Sequence, residues 1–133
     1  MTKKTVQQRG DAEMRRRLLE RSGELRADIQ RELSKYDDEH YNALADSVAD
    51  SGDQSVADLL VDVDLAEITR DVEEIRDIEA ALSRMAHGVY GVCVDCAAQI
   101  DRERLHYAPS AARCVPCQQR YEQKSREKKH LTL

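Results

Sequence analysis

The sequence predicts a mostly α-helical protein: a long antiparallel helical hairpin of coiled-coil character, then a small four-cysteine zinc-finger module and a C-terminal helix. Three observations point there. The chain is rich in Ala, Leu, Glu, Asp, Arg and Gln, has no Trp or Phe and is 35% charged, so its 41% apolar residues suit narrow helical seams better than the faces of a sheet. Two long segments carry apolar residues at helical period. Four cysteines then fall as two C-x2-C pairs.

Residues 1–10 are expected to form a flexible tail, residues 11–87 the hairpin with its tip at 49–55, and residues 88–133 the zinc module with a basic last helix. The first arm, from about Asp11 to Val48, carries Met14, Leu18, Leu25, Ile29, Leu33, Tyr36 and Leu44. Gly23 weakens this helix locally by about 1 kcal/mol relative to Ala. The second arm, from Ser55 to about His87, carries Val61, Leu65, Ile68, Val72, Ile75, Ile78, Leu82 and Met85. The steps of 4, 3, 4, 3, 3, 4 and 3 put these on one continuous stripe. A helix of this length would be roughly 50 Å long at 1.5 Å per residue. Between the arms, ADSGDQS offers Gly52 for a left-handed turn and Asp53 or Ser55 as the cap of the second helix. Gly88 and Gly91 interrupt the pattern at the base, as do Pro109 and Pro116 further on.

Charge is unevenly distributed. Residues 37–79 hold 15 acidic side chains against Arg70 and Arg76, a local net of −13; with −5 overall, the remainder sums to +8. Such a segment repels nucleic acid and suits a basic protein groove or a cation-holding site, when it is not simply a solvated helical face. No run of 18 apolar residues occurs and the basic N-terminus has no apolar stretch behind it, so a soluble, cytoplasmic protein is expected. In a reducing compartment, cysteines point to metal or redox chemistry rather than to structural disulfides.

The cysteines carry the strongest chemical signal. Cys93 and Cys96 lie in CVDC, Cys114 and Cys117 in CVPC, with 17 residues between the pairs. Each C-x2-C turn presents two thiolates, and two turns complete a tetrahedron around one Zn2+ with no position open to water, which is a structural site. A redox C-x-x-C pair is the alternative, but that motif belongs to a βαβ setting absent from this pattern. His40, His87, His106 and His130 are scattered, and no nucleophile has a His and a carboxylate in a recognisable frame, so no catalytic residues are expected and the protein reads as a non-enzyme. A second reading makes Arg113, Arg120, Lys124, Arg126, Lys128 and Lys129 a phosphate-binding patch for nucleic acid, and a third makes the thiols a zinc-linked redox sensor.

An acidic D-x-x-D hairpin followed by a four-cysteine module resembles the DksA/TraR (DnaK suppressor) family of bacterial transcription factors. The resemblance runs from about Ala49 to Tyr121 and is most specific in GVYGVCVDC and IDRERLHYAPSAARCVPC, with Ile100, Arg104, Leu105 and Pro109 at the family's positions. It implies a rod that enters the secondary channel of RNA polymerase without contacting DNA, with Asp50, Asp53 and Ser55 as the effector tip near the catalytic centre. Ser55 stands where the fully active members have Ala. It further implies Arg104 as a polymerase contact near the base and Arg70 as one of the basic residues for the alarmone ppGpp. Asp77 and Gln118 replace two expected lysines, so ppGpp dependence is expected to be weak or absent.

Overall fold

The computed structural model describes the backbone of residues 3–131 and the side chains of residues 10–128. Among them the helices are α1 (Lys3–Ser34), α2 (Glu39–Ala49), α3 (Val56–Leu59), α4 (Ala66–Ala86), α5 (Arg102–Tyr107) and α6 (Val115–Leu131). α1 and α4 pair along their length as the antiparallel rod. Leu18, Leu25, Ile29 and Leu33 of α1 pack with Ile68, Val72, Ile75 and Ile78 of α4 in one core. Each such side chain contributes about 1.5–3 kcal/mol when fully buried. Arg21 ties the two helices across their surface, donating from Nε and Nη2 to the two carboxylate oxygens of Glu74 at 2.5 and 3.0 Å.

The hairpin departs from the sequence expectation at its far end. The first arm does not run on to residue 49: it ends at Ser34, reverses over 35–38 and returns along α1 as α2. The second arm is not one helix either, because residues 60–65 separate α3 from α4. The distal half of the rod is therefore four segments thick, with α2 lying on α1 and α3 on α4. A two-helix rod gives each helix a single seam to bury. The fold-back adds Ala45, Val48, Val56, Ala57 and Leu60 to the core, none more than 4% exposed. Asp38 supports the reversal by accepting the Tyr41 N–H at 3.0 Å as the cap of α2, and the rings of Tyr36 and Tyr41 meet edge to face at 5.3 Å.

Two boundaries differ from the expectation. The 49–55 segment, expected at the end of the rod, lies beside its middle, against α1 at Arg26 and α4 at Glu79. Helix α1 begins at Lys3, so it takes in most of the expected 1–10 tail; Met1 and Thr2 lie outside the described residues.

Candidate metal centre and acidic loop

The base is built by two knuckles. In the first, Gly91 with φ 82° turns the chain back toward α5, where a Cβ would meet the Leu105 side chain at 3.4 Å. The Cys93 N–H then bonds the Ala98 carbonyl at 2.8 Å and the Ala97 N–H bonds the Cys93 carbonyl at 3.0 Å, with Ala97 itself left-handed at φ 64°. That tight loop brings Cys93 and Cys96 to one side. The second pair enters α6, where the Gln118 N–H closes on the Cys114 carbonyl at 2.9 Å. The Val94 N–H reaches the Ala112 carbonyl at 3.0 Å and joins the two knuckles. Ile100, Leu105 and the buried Cys93 and Cys117 form a small apolar cluster beneath them.

All four sulfur atoms lie within 4.8 Å of one another, and Cys96 and Cys114 are 3.8 Å apart. A tetrahedron with 2.3 Å Zn–S bonds has edges of about 3.8 Å, so the donor set fits the ion in number, softness and spacing. Charge supports the fit. The Cys93 thiol is pulled down to about 6, first by the Cys96 backbone N–H and then, against desolvation, by those of Cys114 and Asp95. Arg120 donates to the Cys117 sulfur at 3.2 Å and pulls the same way, yet the Cys114 thiol, burial, and the thiols of Cys93 and Cys96 outweigh it and push Cys117 up to about 12. Crowded thiols resist ionising together unless a cation neutralises them, and one structural Zn2+ held by Cys93, Cys96, Cys114 and Cys117 does so.

The module is fastened to the rod by side chains that the sequence did not single out. Arg17 of α1 donates to the His106 carbonyl at 2.7 Å and Arg84 of α4 donates to the Ser110 carbonyl at 3.3 Å, while Tyr90 of the module is buried in the rod's core and its hydroxyl donates to the Pro109 carbonyl within the module at 2.7 Å. Burial, more than the nearby Asp11, pushes the Tyr90 phenol up to about 12. Arg104 is half-buried and donates from Nε to the Arg113 carbonyl at 2.9 Å, holding the approach to Cys114. Arg113 pairs with Asp95 at 2.8 Å and stacks over Tyr121 at 3.9 Å.

At the other site, Asp50 closes α2 and Asp53 follows Gly52, whose φ of 55° makes the left-handed turn. Both aspartates are exposed, and among the described residues neither carboxylate has a hydrogen-bond or ion-pair partner. Ser55, rather than Asp53, caps α3 by accepting the Asp58 N–H at 3.0 Å. Its hydroxyl also donates to Glu79 at 2.5 Å, and the other Glu79 oxygen accepts the Val56 N–H at 2.8 Å. From the opposite side Arg26 donates to the Ser51 hydroxyl at 2.7 Å and the Gly52 carbonyl at 3.1 Å. Arg70 is exposed near the start of α4, and the structure brings it to neither site.

A four-cysteine finger standing on a helical rod defines the class. Residues 88–123 match the prokaryotic dksA/traR C4-type zinc finger. The structure is similar to that of the transcription factor DksA2 from Pseudomonas aeruginosa, with a TM-score of 0.55 and 27% identity, over 88% of this chain and 86% of that one. No curated protein sequence gives a match. The finger match and the structural likeness both support a place near the DksA/TraR family. No described helix is long and apolar enough to cross a membrane.

Proposed function

We propose that the chain is a non-enzymatic, cytoplasmic regulator of bacterial RNA polymerase that carries Asp50 and Asp53 into the secondary channel and alters the lifetime of promoter open complexes. The observation that supports this most is the acidic loop itself: two exposed, unpartnered carboxylates on a segment of net charge −13, held on a rod whose finger and fold are DksA-like. Such carboxylates are free to meet basic side chains or the surroundings of a catalytic metal, where a water-poor channel strengthens the attraction. Arg104 would contact polymerase only through the part of its guanidinium not occupied by the Arg113 carbonyl. Weak or absent ppGpp dependence belongs to the same reading, because Arg70 lacks the two lysines replaced by Asp77 and Gln118, and an acidic residue repels a polyphosphate.

The test is the lifetime of promoter open complexes with zinc-loaded protein, wild type against Asp53→Asn, with and without ppGpp. Wild type should change the lifetime, Asp53→Asn should bind polymerase yet leave the lifetime unchanged, and ppGpp should alter the effect by less than about twofold. An Asp53→Asn protein as active as wild type would remove the loop from the mechanism.

A further inference from the structure

The acidic loop sits where it cannot lead. It is docked halfway along the α1–α4 pair, with α2 and α3 folded back beside the rod, while the far end is formed by the reversals at 35–38 and 60–65. These two reversals lie side by side, since Lys35 and Tyr36 both interact with Glu67 at the start of α4.

Neither reversal contains a helix breaker. The glycines are at 10, 23, 52, 88 and 91 and the prolines at 109 and 116, so residues 24–51 and 53–87 hold none. Nothing in the covalent chain stops either arm from being one helix. Helix α4 also starts on Leu65 with no side-chain cap, unlike α2 and α3. The apolar stripe passes through the break without losing phase, and its member Val61 is 65% exposed as folded. In a continuous second arm Val61 would join the seam with Leu65, Ile68 and Val72. The sequence thus carries the pattern of a longer rod beside the contacts of a shorter, thicker one.

The contacts that hold the folded-back limb at its loop are polar. Glu79 takes the Ser55 hydroxyl and the Val56 N–H, while Arg26 takes the Ser51 hydroxyl and the Gly52 carbonyl. We propose that α2, the 50–55 loop and α3 form a latched limb: apolar burial of Val48, Val56 and Leu60 together with the polar contacts of Arg26 and Glu79 holds it closed in the free protein, and release lets it swing out about 35–38 and 60–65 into an uninterrupted rod. Restoring helix over residues 35–49 lengthens the rod by about 20 Å and puts Asp50 and Asp53 at its end. The closed limb buries Val48, Val56 and Leu60, so opening is unfavourable in the free protein and a partner that binds only the open rod shifts the balance. Ser55 acquires a specific role: its hydroxyl is half of the Glu79 contact, which an Ala in its place could not make.

The functional half of this inference rests on the polymerase reading; the latch does not. Small-angle X-ray scattering on the free, zinc-loaded protein tests the latch directly for wild type, Arg26→Ala and Glu79→Ala, two changes on different helices that remove the polar contacts and leave the buried apolar side chains in place. Wild type should show the short, thick form, and each variant a population longer by about 20 Å, with helix content raised. Polymerase should then bind the variants about three- to tenfold more tightly, the factor expected from removing a hydrogen-bonded contact from the closed state alone. Wild type already at full length, or both variants as short as wild type, would overturn the latch. Longer variants with no gain in polymerase binding would uphold the latch and contradict the polymerase reading.

Discussion

Glu74 and Tyr90 show how much single side chains contribute and under what conditions. Arg21, by its hydrogen bonds ahead of its charge alone, holds the Glu74 carboxyl below its ordinary value against a smaller cost of burial. A folded pKa below the unfolded one stabilises the fold fully above the unfolded value near 4.5, and that contribution is lost as pH falls through the folded value. Both side chains are more than a third exposed, so Glu74→Gln should cost less than about 1 kcal/mol at pH 7 in urea unfolding, and nothing once the pH lies below the folded value. Tyr90→Phe leaves the Pro109 carbonyl without its donor and should cost about 1 kcal/mol, with faster zinc release to a chelator as the finger loosens. The sequence made some residues legible and not others for a plain reason. Two C-x2-C pairs have few uses, and a Gly three residues before a helix-capping Ser has a local geometry, so Cys93, Cys96, Cys114, Cys117, Gly52 and Ser55 could be read. Arg26 and Glu79 meet partners more than 20 positions away, and nothing local separates Glu79 from the other acidic residues around it.

Among the elements, the finger and the rod differ in what sustains them. The cluster under the cysteines is small, so it depends on the metal, whereas α1 and α4 share a continuous apolar core. Chelating zinc should abolish amide protection over residues 88–117 while α1 and α4 keep theirs and most of the helical circular dichroism survives; collapse of the whole helical signal would mean that the rod depends on the finger. Acid should act on the finger in the same direction, because thiols must give up their protons to bind metal and acid returns them. Leu25→Ala, by contrast, should destabilise the rod by about 2–5 kcal/mol, as expected for a large residue with no exposure. The helical period identified both long arms because one seam repeats over many turns. It could not show where they turn back, since neither reversal holds Gly or Pro and the cause is burial against distant segments. Asp38 marks the start of α2 only once the reversal is known.

For the whole molecule, the division of charge and the division of structure coincide. The segment of net charge −13 is the folded-back limb and α4 as far as Glu79, and the cations gather toward the two ends of the chain. Part of the basic set once grouped as a nucleic-acid patch is already committed within the finger: Arg113 to Asp95 and Tyr121, Arg120 to the Cys117 sulfur. The resemblance was legible because the finger motifs and the acidic loop keep their spacing, while the docked position of that loop depends on tertiary contacts which spacing does not encode. The proposed function requires the 50–55 loop to reach the interior of RNA polymerase. Its most direct test is a photo-crosslinking amino acid at the exposed Gln54, with a second at Lys124 on α6, irradiated in complex with polymerase on promoter DNA. Position 54 should crosslink to polymerase residues lining the secondary channel, with neither position marking DNA. Crosslinks from Lys124 to DNA, with none from Gln54 to polymerase, would contradict the proposed function.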